Sequence, residues 1–180
     1  NITPDDLILA FFPCIYFCSQ STMNFTWGTH IYKNLTYEQR TEKIIARAEQ
    51  RNRFYILAIK MLTVAQIRNL RLIMENPYSG KRSYLKDNFV VNPALIDMNR
   101  QKRGDYFKKP TAYWYINCKP TSGYSFQSPK ETKTVLSCKK NGKAGECSEE
   151  RSLISPDYAR NFICDFILGK TQQHSELTLF

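Results

Sequence analysis

Two short stretches of this sequence carry groups able to make and break covalent bonds. Pro13-Cys14 follows an apolar run at residues 6–12, and Glu75-Asn76-Pro77 follows a second run at residues 70–74. A thiol beside a carboxyl group does not suit acyl transfer, which needs an imidazole to take the nucleophile's proton. The two histidines, His30 and His174, sit in no such motif. The pair suits a different reaction, in which a thiolate adds to an electron-poor ring while an acid donates a hydrogen bond or proton to that ring. No metal is expected, since the chain has no Cys-x-x-Cys and both histidines lie far from every cysteine.

The elements around these residues decide whether they can meet. Residues 6–12 read as a strand buried on both faces, stopped by Pro13. Residues 14–27 are polar, aromatic and irregular, a loop at the C-terminal end of that strand, where open α/β sheets bind ligands. Residues 37–71 lack Pro and Gly and read as a helix, with Thr36 and Gln39 as a capping box. Its apolar stripe is core packing, and its length suggests a break near residues 50–52. Strand, helix and second strand make a βαβ unit, which brings Cys14 and Glu75 to one edge of the sheet. Taken alone, Cys14 is a packing residue. Pro13 before it and Glu75 at the same edge turn the reading to chemistry.

Downstream, residues 94–98 and 112–117 read as strands. Between them, residues 99–109 carry Arg100, Lys102, Arg103, Lys108 and Lys109 against Asp105. Such a run is usually a solvated loop; with Tyr106 and Phe107 interleaved, it also fits phosphate contact. Residues 118–150 are rich in Ser, Thr, Lys and Gly, and fit a loop, a hairpin, an inserted recognition segment or a disordered stretch. Residues 155–168 read as a final helix with Ser155 as cap and Pro156 at its first position. Trp27 and Trp114 are expected in the core.

Four motifs then stand in order: Phe12-Pro13-Cys14, Glu75-Asn76-Pro77, Gln101-Lys102-Arg103 and Lys109-Pro110-Thr111. Arg151-Ser152-Leu153-Ile154-Ser155-Pro156 precedes the last helix. The series resembles that of DNA (cytosine-5) methyltransferases, most closely the divergent group often encoded by bacteriophages. The resemblance implies an α/β fold: a partial Rossmann-like methyltransferase sheet with flanking helices and an irregular C-terminal insertion. It implies that Cys14 attacks C6 of cytosine and that Glu75 contacts N3 and the exocyclic amine. Gln101 and Arg103 steady the flipped base and its phosphate, with Arg100, Lys108 and Lys109 on the DNA, and Pro13 and Asn76 face the methyl donor, S-adenosylmethionine. The partner is double-stranded DNA, from which the base must be extruded because stacking hides its ring faces. The expected location is the cytoplasm of a bacterial or phage-infected cell, without membrane contact. Phe12 stands where the family's first proline is usual, Ile15 where Gln or Thr is common, and Asp105 where a second arginine is frequent. The family's Gly-rich donor loop lies before the Pro-Cys strand, and no G-x-G-x-x-G occurs in this chain. The donor half is therefore expected upstream of Asn1 or on a partner subunit.

The whole composition fits this reading. Lys and Arg number 26 against 16 Asp and Glu, a balance of +10 that favours an acidic partner, nucleic acid before an anionic membrane surface. Ordinary apolar and charged fractions exclude a disordered, collagen-like or coiled-coil chain. No apolar run reaches the roughly 18–20 residues of a membrane span. Six cysteines are too dilute for a disulfide scaffold, and the three sequons at Asn1, Asn24 and Asn34 are near chance, so free thiols inside a cell are expected. The expected organisation is residues 1–117 as the catalytic part, 118–150 as a variable loop or small recognition segment, and 151–180 as a helix packing on the domain. Two other readings remain: a catalytically inactive methyltransferase-like module that binds nucleic acid, and a secreted protein with paired cysteines.

Overall fold

The computed structural model describes residues 1–12, 14, 16–78, 83–128, 131–133 and 152–170. They form two compact units, Asn1–Ile96 with Thr111–Lys119, and Asp97–Pro110 with Pro120–Phe180. The architecture is mixed α/β around a four-stranded sheet.

Strands β1 (Leu7–Phe11) and β2 (Arg71–Pro77) are parallel neighbours, joined by helix α1 (Tyr37–Ile67). Strand β4 (Thr111–Ile116) runs antiparallel to β2 on its other side, and β3 (Leu95–Asp97) lies beyond it, giving the order β1-β2-β4-β3. The parallel register sets Ala10 level with Met74 and Phe11 level with Glu75. Successive residues of a strand face opposite sides of the sheet. Met74, Ala112 and Trp114 on one side pack with Phe12, Phe17, Leu85 and Ala58 of α1 in the main core. A second cluster gathers Leu62 and Ala65 of α1 with Leu70, Leu72 and Ile116.

The first strand departs from the expected burial on both faces. As the sheet's edge strand, β1 leaves Leu9 and Phe11 exposed on the side away from α1. The second strand is longer than the apolar run suggests. Glu75, Asn76 and Pro77 continue it, because β4 pairs with them through Tyr113, Ala112 and Thr111.

Helix α1 is continuous over 31 residues, with no break at residues 50–52. Thr36 and Gln39 form the reciprocal capping box, the Thr36 hydroxyl accepting from the Gln39 amide at 3.3 Å. At its other end Asn69 adopts left-handed backbone, a conformation asparagine tolerates. The Asn117 side-chain amide donates to the carbonyls of Ala65 and Leu70 at 2.9 and 3.0 Å, fastening that turn. The expected loop at residues 14–27 holds a 3-10 helix, Ser19–Phe25. A short helix, α2 (Tyr84–Asn88), follows β2. Trp114 is buried and donates to the Val91 carbonyl at 2.9 Å. Trp27 is 51% exposed, contrary to the expected core position, because it stands on the aromatic segment before α1.

In the second unit the final helix is α3 (Pro156–Ile163), continuing as a π-helical turn over Cys164–Leu168. Ser155 caps it, accepting from the Tyr158 amide at 3.1 Å and donating to the Gly104 carbonyl at 2.7 Å. Gly104 has φ +86°, and a Cβ there would sit 2.8 Å from that of Asp157, so glycine is required on both counts. Residues 129–130, 134–151 and 171–180, with Cys138, Cys147, Arg151 and His174, lie outside the described residues.

Candidate active site

Cys14 leaves the end of β1 on a tight turn. Its carbonyl accepts the Phe17 amide at 3.0 Å and the Cys18 amide at 3.2 Å. The Phe17 carbonyl in turn accepts the Tyr84 amide at 3.0 Å, which ties this turn to the start of α2. Cys14 is half-buried and in no disulfide; the same holds for Cys18 and Cys118, while Cys164 is buried. Pro13 lies outside the described residues.

Glu75 is 7% exposed and level with Phe11, so the turn that begins after β1 and the carboxyl group share the C-terminal edge of two parallel strands. Asn76, next along β2, faces the α1 side of the sheet, whereas Glu75 faces the side of Ile73 and Tyr113. Asn76 is fully buried, and neither polar atom of its amide has a hydrogen-bond partner among the described residues. Leaving such a group unmatched costs about 1–3 kcal/mol.

The basic set of the second unit is divided. Arg100 is 1% exposed, forms an ion pair with Asp105, and lies with its guanidinium 4.3 Å from the Tyr158 ring. Arg103 donates to Asp165 at 2.9 Å and to Asp97 at 3.3 Å. Asp165 also accepts from the Ser125 amide and hydroxyl at 2.9 and 2.7 Å. Arg100 and Arg103 are thus both paired internally, with carboxylates close in space that neutralise what looks like open charge in sequence. The Gln101 side chain donates to the Tyr106 carbonyl at 3.1 Å. Lys108 is exposed and Lys109 half-buried. Asp105, the departure from the family pattern, is the partner that Arg100 needs.

Burial raises the Cys118 thiol above its ordinary range, and it raises the Tyr115 hydroxyl further, with Cys118 adding to the effect. Both groups stay protonated at neutral pH. Among the described residues no three His, Cys, Asp or Glu side chains gather as a metal site. No described helix is long and apolar enough to cross a membrane.

One group of residues escaped the sequence reading. Arg47 and Arg51 of α1 lie against rings of the segment that follows Cys14. The guanidinium carbon of Arg51 is 4.2 Å from the ring centroids of both Phe25 and Tyr84. That of Arg47 is 5.3 Å from the Tyr32 ring, whose hydroxyl it also meets. The signal in the sequence was the spacing 40, 43, 47, 51 of four cations, hidden within a helix whose stripe reads as core. Compared with protein-family models, curated proteins and solved structures, the chain matches none of them.

Proposed function

We propose that this chain is the catalytic and DNA-facing part of a DNA (cytosine-5) methyltransferase, its sheet being the C-terminal portion of a Rossmann-like methyltransferase sheet. The observation that supports this reading is the level register of Phe11 and Glu75 in adjacent parallel strands. It brings the Pro-Cys and Glu-Asn-Pro motifs to one edge. The order of the four motifs along the chain supports it independently.

In this reading Cys14, as thiolate, forms a bond to C6 of a cytosine extruded from the duplex, and the electron pair moves onto C5 and the ring. Glu75 donates to N3 and holds the exocyclic amine, stabilising the charge that the addition creates. Its burial excludes water that would compete for those hydrogen bonds. S-adenosylmethionine, when bound, supplies the electrophilic methyl group that C5 takes. Asn76 would hold that donor through its unpartnered amide. C5 then gives its proton to a water molecule, the freed electron pair re-forms the C5–C6 double bond as the C6–S bond breaks, and the thiolate returns to Cys14. Lys108 and Lys109 would meet phosphates.

Methyl incorporation into duplex DNA, together with DNA affinity, tests this reading. Cys14→Ser is expected to abolish methyl transfer and to leave affinity within about twofold, since the thiol acts in the chemical step and not in binding. Methyl transfer by the serine variant at the wild-type rate overturns the mechanism. Wild-type DNA binding without methyl transfer, when the donor is bound, selects the non-catalytic binding module instead.

A further inference from the structure

Helix α1 is about 46 Å long at 1.5 Å per residue. Strand β2, the longest in the sheet, spans about 23 Å. All of the buried residues of α1, Ala58, Leu62 and Ala65, belong to its second half. The chain enters α1 from the C-terminal end of β1, so the first half projects beyond the sheet on the edge that carries Cys14 and Glu75.

The projecting half is sorted by charge. At 100° per residue, Arg40, Lys43, Arg47 and Arg51 fall within a stripe roughly 80° wide. Glu38, Glu42 and Glu49 fall on the opposite side. The cationic stripe continues the azimuth of Phe54, Ala58, Leu62 and Ala65, the face that packs on the sheet. Where the sheet ends, the same face changes from apolar to basic.

These cations have no carboxylate partner among the described residues. Arg40 donates to the Leu35 carbonyl at 2.9 Å, and Lys43 is exposed. Arg51 is half-buried and has no hydrogen-bond or ion-pair partner among the described residues, only the Phe25 and Tyr84 rings. A guanidinium stacked on rings keeps its planar fork of N–H donors pre-organised, the geometry that phosphate oxygens fit. The supporting rings lead back to the candidate nucleophile. Tyr84 stacks on Phe17 at 5.9 Å, and Phe17 closes the turn on Cys14.

We propose that Arg47 and Arg51, flanked by Arg40 and Lys43, form a phosphate-binding site that takes the backbone of the DNA strand whose base is offered to Cys14. The assignment of the strand rests on the methyltransferase reading; the phosphate chemistry does not. From Arg40 to Arg51 the stripe covers about 16 Å, over which one strand of a duplex carries about five phosphates. The arginines hold the strand and perform no chemistry.

The test is binding of the 180-residue chain to a fluorescent 20-base-pair duplex across a salt series. Arg47→Met with Arg51→Met keeps the stems on the rings and removes the charge. Affinity at 0.1 M salt is expected to fall on the order of 10- to 100-fold, and the slope of log K against log salt to lose about two units. Arg47→Lys with Arg51→Lys retains most of the slope. Lys43→Glu, at an exposed position where folding is not at stake, is expected to weaken binding roughly tenfold. Unchanged affinity and slope in both the methionine pair and the Lys43 variant overturn the site, and leave the Cys14 chemistry, read by methyl incorporation, as it stood. If inorganic phosphate or phosphatidylserine vesicles bind through these residues and the duplex does not, the DNA assignment falls.

Discussion

A buried charge must find its partner within the protein, and Arg100 shows what that means for a residue read from sequence as basic and open. It is 1% exposed and pairs with an equally buried Asp105. Removing one member of such a pair strands the other charge in a poorly solvating interior, at about 3–5 kcal/mol. Asp105→Asn is therefore expected to lower the stability of the second unit by that amount in denaturant titration, while Lys108→Gln, on the surface, costs under about 0.5 kcal/mol. The sequence showed the sign of each charge in the 100–109 run but not its neighbours. Asp165, which anchors Arg103, lies 62 residues away. Cys14 and Glu75 were legible for the opposite reason. Glu75 follows directly on one apolar run and Cys14 stands one proline beyond the other, so local pattern put both at strand ends and the βαβ connection put those ends on one edge.

Among the elements, the helix caps were read correctly and the helix interior was not. Thr36 and Ser155 cap α1 and α3 as their residue types suggest. Their contributions differ, because Thr36 is exposed and caps only its own helix, whereas Ser155 is buried and also donates to Gly104. Thr36→Ala is expected to cost about 0.5–1 kcal/mol. Ser155→Ala is expected to cost about 2 kcal/mol or more, because it also leaves the buried Gly104 carbonyl unmatched. Denaturant midpoints of the two variants, measured side by side, check the order. The break expected near residues 50–52 rested on the length of the helix, and the 31 residues run without one. The polar residues at that point have their own partners: Gln50 accepts from the Tyr16 hydroxyl at 2.9 Å, and Arg51 rests on rings. Periodicity does not reveal a helix that packs on a sheet with one half and on an aromatic segment with the other.

For the whole molecule, chain order matters more than any single contact. The first unit is completed only by β4, which arrives after residues 97–110 have been given to the second unit. β4 sits between β2 and β3 and brings Ala112, Tyr113, Trp114 and Ile116 into the interior. A chain ending at residue 96 lacks that strand and leaves one side of β2 open. It is expected to show no cooperative thermal transition by circular dichroism, whereas the 180-residue chain shows one. The general α/β class and the β1-α1-β2 order could be read from strand and helix periodicity. The antiparallel placement of β4 could not, because a strand's direction depends on what it pairs with. The two tryptophans, one inside and one outside, also give the molecule a built-in optical label. The indole of Trp114 is sealed in the sheet, while that of Trp27 stands 5.6 Å from Tyr37 at the head of α1. Blue and red portions of the emission spectrum thus come from different places, so a change confined to the projecting end of the helix is separable, without any added dye, from loosening of the interior.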